Sequence, residues 1–171
     1  MGNNASLILL AGLLAFGCKS VRALRPTETI PLDFQGRVAL ARMQAAAAEA
    51  GPAADRITAA KIGIAAAQAA RTDHPDRVEG HYWYAINVGL LADADRSYGL
   101  NAVGEMQAAL QRAIELDETY DHGGPLRVMG LLLLRTPAPP VSIGSPRRGL
   151  RLLQRAVAVA PEYPENYLHL A

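Results

Sequence analysis

The sequence predicts an all-helical domain built from helix–turn–helix units, and two observations lead to that prediction. Hydrophobic residues make up 50% of the 171 residues and aromatic residues only 5%. Alanine supplies much of the apolar content, and it has the highest helix propensity of any residue. An internal repeat is also present, because Ala69, Ala113 and Ala156 begin corresponding segments at offsets of 44 and 43 residues. Such a period is typical of repeats that stack on their neighbours.

Residues 1–17 are predicted to be a signal peptide. The apolar run from Leu7 to Phe16 is too short to span a bilayer and has the length of a signal-peptide core. Small residues flank Phe16 in the pattern of a cleavage site, immediately before Cys18. Cys18 is the single cysteine of the chain, which excludes a disulfide within it.

These residues resemble a bacterial lipobox, in which the cysteine becomes the first mature residue and carries the acyl chains. The match departs at Ala15, where leucine is usual, and the leader has no lysine or arginine. Plain secretion and a cytoplasmic start remain alternatives; Met1-Gly2 also fits N-myristoylation, but the apolar run favours export. Residues 18–36 are predicted to be the lipidated N-terminus and a tether, and residues 37–171 the helical repeat domain.

Helical periodicity, interrupted by glycine and proline, divides the repeat domain into successive helices. The predicted helices span residues 37–50, 56–70, 80–92, 105–116, 126–134, 147–160 and 165–171. Long loops are predicted over residues 92–104 and 136–146. The last helix is short and lacks an apolar partner on one side, so either the native chain continues beyond Ala171 or another subunit covers this end. We expect a homo-oligomer that buries Leu153, Val157 and Leu170.

The repeat resembles the tetratricopeptide repeat (TPR), whose usual period is about 34 residues. That resemblance implies a right-handed α-solenoid with long inter-helix loops. Three segments indicate a more specific family: Tyr82-Trp83-Tyr84-Ala85, residues 122–130 and residues 139–144. They look like bacterial envelope lipoproteins that are similar to the T component of tripartite ATP-independent (TRAP) transporters. The resemblance covers about residues 73–171.

In that family the lipoprotein partners the extracytoplasmic solute-binding protein of the transporter. The resemblance therefore implies a lipid-anchored, protein-binding module on the periplasmic side of the envelope. Lys19, directly after the cysteine, favours the outer membrane by the sorting habit of such lipoproteins. The alternative is a structural or assembly scaffold of the envelope with no transport role.

Five side chains in these segments are the candidate binding residues: Tyr82, Trp83, Tyr84, His122 and Arg127. Consecutive helical residues point about 100° apart, so the three aromatic rings cannot all face one core. Either they serve as packing anchors or at least one of them lines a binding groove. The two glycines after His122 favour a tight turn, and the following proline favours a helix start.

Enzymatic function is not expected, because the sequence has no nucleophile elbow and no phosphate-binding glycine-rich loop. No cofactor or metal is expected, since the four histidines form no i, i+4 pair. The formal net charge of +1 argues against nucleic-acid binding. Four arginines, at 147, 148, 151 and 155, form a basic stripe on one helix, which is read as a solvated face, a lipid contact or an acidic-partner contact.

Acylation of Cys18 is directly testable. The wild-type protein should incorporate radioactive palmitate and partition into detergent, and Cys18→Ala should abolish both, because a thioether-linked lipid needs the thiol. Unchanged labelling of the variant would contradict the prediction.

Overall fold

The computed structural model describes residues 33–168 and residue 170. These residues form six α-helices: α1 (Phe34–Ala50), α2 (Ala53–Asp73), α3 (Val78–Ala94), α4 (Gly99–Asp117), α5 (Tyr120–Arg135) and α6 (Pro146–Val159). The described residues contain no strand, so the predicted all-α class is confirmed. None of these helices is long and apolar enough to cross a bilayer. The predicted signal peptide and Cys18 lie outside the described residues.

Local capping sets the bounds of the first two helices. The Asp33 carboxylate accepts a hydrogen bond of 3.0 Å from the backbone N–H of Gly36, which starts α1 slightly earlier than predicted. Gly51 and Pro52 end α1, as the sequence predicts. Arg56 of α2 then donates from Nε to the Ala48 carbonyl at 2.7 Å, so a carbonyl at the end of α1 has a partner.

The long loop predicted over residues 92–104 is wrong. The helix α3 continues to Ala94, and a single 3₁₀ turn, Arg96–Tyr98, leads directly into α4. Asp95 starts this turn by accepting a hydrogen bond of 3.0 Å from the Ser97 N–H. The second predicted loop, between α5 and α6, is present at residues 136–145.

The prediction of a helix over residues 165–171 is also wrong for residues 165–168 and 170, which the structure describes. They form part of the 3₁₀ turn Pro164–Asn166 and the turns that follow it. The reason is the buried Asn166 amide, which donates to the carbonyl of Ala156 at 3.0 Å and of Ala160 at 3.3 Å, at the end of α6. Leu153, expected at a subunit contact, is fully buried within the chain beside Gly130.

Each helix packs on the next along the chain, and alternate helices also touch, α1 with α3 and α3 with α5. Small residues form the crossings. Ala41 and Ala48 of α1 and Ala59 and Ala60 of α2 have no exposed surface. Where α5 meets α6, a Cβ on Gly149 would lie 2.8 Å from a backbone carbonyl oxygen of α5. Backbones therefore approach closely at these crossings.

Two glycine substitutions should have opposite effects on the free energy of unfolding. Gly149→Ala should lower it by about 1–3 kcal/mol, because the added methyl group overpacks the α5–α6 crossing. Gly104→Ala should raise it by about 0.5–1 kcal/mol, because nothing lies within 4 Å of the new Cβ and alanine favours the helix. Chemical denaturation measures both values, and equal effects would contradict the close crossing.

Candidate functional site

A groove on the surface is formed by three alternate helices. It has a volume of about 460 Å³ and an open mouth, and α1 supplies most of its lining. The lining residues are Gln35, Val38, Ala39, Arg42, Met43, Ala46, Trp83 and Tyr120. We call this the α1–Trp83 groove. Because its members come from α1, α3 and the first residue of α5, the groove depends on the packing of alternate helices.

Trp83 is the candidate binding residue that the structure places in this groove. Its indole Nε1 donates a hydrogen bond of 3.1 Å to the Tyr120 hydroxyl, which fixes the orientation of the ring. The guanidinium carbon of Arg42 lies 5.8 Å from the ring centroid, at the outer limit of a cation–π contact. Trp83 is only half-buried, so a partner can contact part of the indole.

A smaller depression of about 270 Å³ adjoins the groove at Tyr120. Its lining includes the carboxylates of Asp76, Glu79 and Asp117 and the guanidinium of Arg77. Arg77 pairs with Glu79 at 2.5 Å, and this hydrogen bond lowers the pKa of the Glu79 carboxyl. The surface on one side of Tyr120 is therefore mainly apolar with Arg42 as its charged residue, and carboxylates outnumber cations on the other side.

Tyr84, on the same helix as Trp83, points into the core instead. Its hydroxyl donates to Glu105 of α4 at 2.6 Å, and the same carboxylate accepts from Tyr98 at 2.9 Å. The Arg71 guanidinium carbon lies 3.6 Å from the centroid of its ring. Burial, together with the hydrogen bond to Glu105, raises the pKa of Tyr84 to about 12. Tyr84 thus ties α3 to α2 and α4.

Tyr82 is also buried and links α3 to the start of α5. Its hydroxyl donates to Asp121 at 2.6 Å, and its ring meets that of Tyr120 edge-on at 5.3 Å. Burial is the main cause of the raised pKa of Tyr82. Of the two alternatives predicted for the aromatic triplet, core packing of all three rings is not observed, because Tyr82 and Tyr84 are buried whereas Trp83 lines the groove.

The predicted turn before Pro125 is confirmed by three consecutive left-handed residues, Asp121, His122 and Gly123, with φ of 49°, 58° and 79°. Positive φ is uncommon outside glycine. The imidazole of His122 is exposed and stacks on the ring of Tyr163 with 4.5 Å between centroids. His122 therefore lies at the surface, on the C-terminal side of the molecule rather than in the α1–Trp83 groove.

Arg127 lies in the interior, with its side chain engaged by the chain itself. Its Nη1 donates to the Asn166 side-chain oxygen at 2.8 Å and lies 3.4 Å from the His122 carbonyl oxygen. The Asp121 carboxylate is 3.9 Å from its other terminal nitrogen, and it also accepts from Tyr82. This arrangement gives Arg127 a role in joining α3, α5 and the C-terminal turn.

Sequence reasoning missed four residues of the α1–Trp83 groove and of the contacts around Arg127. They are Arg42, Met43, Tyr120 and Asn166. No local pattern marks them, because each acquires its role from a residue distant in sequence. Asn166 contacts a residue 39 positions away, and Trp83 and Tyr120 are separated by 37 positions. Only the composition of α1 could have drawn attention to Arg42 and Met43, because these two larger side chains interrupt an alanine-rich segment.

Asn166→Leu should lower the free energy of unfolding by about 2–3 kcal/mol, because it removes the buried hydrogen bonds of the Asn166 amide to the Arg127 guanidinium and to the Ala156 carbonyl. The matched control is Tyr167→Phe, one residue on, which removes only an exposed hydroxyl contact with the Pro161 carbonyl. Its effect should stay within about 0.5 kcal/mol. Urea denaturation followed by circular dichroism measures both, and equal stability of the two variants would contradict the role of Asn166.

Among residues 33–168 and 170, no group of three or more histidine, aspartate or glutamate side chains is placed to hold a metal ion. In comparisons with known proteins, no family model and no curated protein matches the chain. The side chains and shape of the α1–Trp83 groove are therefore the basis on which a function is assigned.

Proposed function

We propose that the protein is a lipid-anchored, TPR-like protein-binding module of the bacterial envelope, and that it acts as the T component that holds the solute-binding protein of a TRAP-type transporter. The single observation that carries this proposal is the α1–Trp83 groove, which is lined by residues of three alternate helices. Contacts of α1 with α3 and of α3 with α5 are compatible with the TPR-like stacking expected from the resemblance.

The groove has the composition of a protein-binding surface. Its centre offers an aromatic ring and a methionine, residues enriched where proteins meet. Met43 is 37% exposed. Burial of this large apolar side chain against a partner is favourable, because it removes apolar surface from water. Arg42 is the charged residue of the lining, so a complementary segment carries a carboxylate beside an apolar side chain.

The aromatic anchors beneath the groove favour a pre-formed site. Trp83 is held by Tyr120, and its neighbours Tyr82 and Tyr84 are fixed by carboxylates of α5 and α4. A partner that binds there does not need to order these rings, which lowers the entropic cost of association. This rigidity suits a docking platform better than a hinge.

Trp83 is the single tryptophan of the chain, so its fluorescence reports on the groove directly. Titration with the solute-binding protein encoded beside a TRAP-type transporter in the same genome should shift its emission to the blue and saturate. Met43→Glu should weaken binding about tenfold or more, because it places a charge at the apolar centre of the groove. Val141→Glu is the matched control, since Val141 is 78% exposed on the α5–α6 loop.

Saturable binding that Met43→Glu weakens and Val141→Glu does not would support the proposed function. An unchanged emission spectrum, with no complex by light scattering, would overturn it. Equal weakening by both variants would place the contact outside the groove and contradict the proposal in that form.

A further inference from the structure

A second surface, at the opposite end of the helix order from α1, is defined by the arginines of α6. The helix packs on α5 and on the turn Pro164–Asn166, and its other side is exposed. Four exposed arginines lie there: Arg147, Arg148, Arg151 and Arg155. On a regular helix these positions fall within an arc of roughly 100°. We call this surface the α6 basic face.

The charge of this face is largely uncompensated. Arg155 pairs with Glu118 at 2.6 Å, whereas Arg147, Arg148 and Arg151 have no acidic partner among the described residues. The first turn of α6 contains no acidic residue, although the helix dipole favours negative charge there and disfavours arginine. Arg147 and Arg148 thus lie at the N-terminal end of α6, where positive charge does not stabilise the helix.

Apolar side chains are exposed beside these arginines. Leu150 is 43% exposed and borders the arc of arginines on α6. Val141 is 78% exposed in the loop that leads into α6, directly after Pro139 and Pro140. The loop folds back on the end of α5, since the Ser145 N–H donates to the Leu133 carbonyl at 2.8 Å. Val141 and the first arginines therefore lie at the same end of the α5–α6 hairpin.

We propose that the α6 basic face is a membrane-contact surface, on which the arginines bind phosphates of anionic lipid headgroups while Val141 and Leu150 enter the interface. Guanidinium groups match phosphate oxygens in bidentate geometry. Several exposed arginines flanked by exposed apolar side chains match an anionic lipid surface, which offers phosphates beside an apolar interior. Because the α1–Trp83 groove lies on other helices, this contact does not depend on the proposed partner or on the lipid anchor.

The test uses the chain from residue 18 with Cys18→Ala, which retains every described residue and carries no lipid. It is sedimented with phosphatidylcholine vesicles that either contain or lack phosphatidylglycerol. We expect binding to the phosphatidylglycerol vesicles alone, and a steep loss of binding with salt, since the screening length falls from about 10 Å at 0.1 M to about 3 Å at 1 M. Absence of binding to phosphatidylglycerol vesicles would overturn the proposal. An acidic protein would then be the remaining candidate partner of the α6 basic face.

A triple variant, Arg147→Gln with Arg148→Gln and Arg151→Gln, should lower the partition coefficient about a hundredfold, at about fivefold for each basic residue. The matched control changes net charge equally elsewhere, through Lys61→Gln, Arg96→Gln and Arg112→Gln, all of which are exposed positions. It should bind close to the unsubstituted chain. Equal losses in the two triple variants would show that only net charge matters and would overturn the proposal.

A second pair of variants tests insertion of the loop without changing charge. Val141→Ser should reduce partition into phosphatidylglycerol vesicles, whereas Met43→Ser, in the α1–Trp83 groove, should not. These two variants also test the membrane contact if the triple arginine variant is too unstable to measure. Equal partition of the two serine variants would contradict the membrane contact at this loop.

Discussion

Close approach of helix backbones, made possible by alanine and glycine, is the constraint on which the rest of this structure depends. Ala48, Ala59 and Ala60 remove bulky side chains from the α1–α2 crossing, and glycine does the same where α5 meets α6. Close helices gain dispersion contacts along their length. Alanine therefore makes up much of the buried apolar core.

The aromatic residues of α3 divide between two roles. Tyr82 and Tyr84 extend in directions that reach α5 and α4, where carboxylates accept from their hydroxyl groups. Trp83, between them, lines the groove beside α1 and is only half-buried. The groove thus depends on the packing of α1 against α3, which brings the α1 side chains to the partly exposed indole.

Buried polar groups hold the C-terminal part of the chain in register. Asn166 accepts from Arg127 and donates to the end of α6, while Asp121 joins Arg127 to Tyr82. A buried guanidinium is costly unless it is paired and hydrogen-bonded, so these partners define one arrangement of the turn after α6. The α6 basic face is different in kind, since its arginines are exposed and only Arg155 among them pairs with a carboxylate in the described residues.

The sequence by itself determined the helical class, most helix positions and the turn before Pro125, because helix propensity, capping residues and glycine–proline signals act within a few residues. It also identified the aromatic triplet as important but could not assign the three rings. The predicted loop at residues 92–104 and helix at 165–171 failed because Glu105 and Asn166 make contacts that local patterns do not encode. Only the tertiary structure decided that Arg127 is interior, His122 exposed and Trp83 in a groove. Each of these outcomes depends on a partner that lies far away in sequence and is brought near by helix packing.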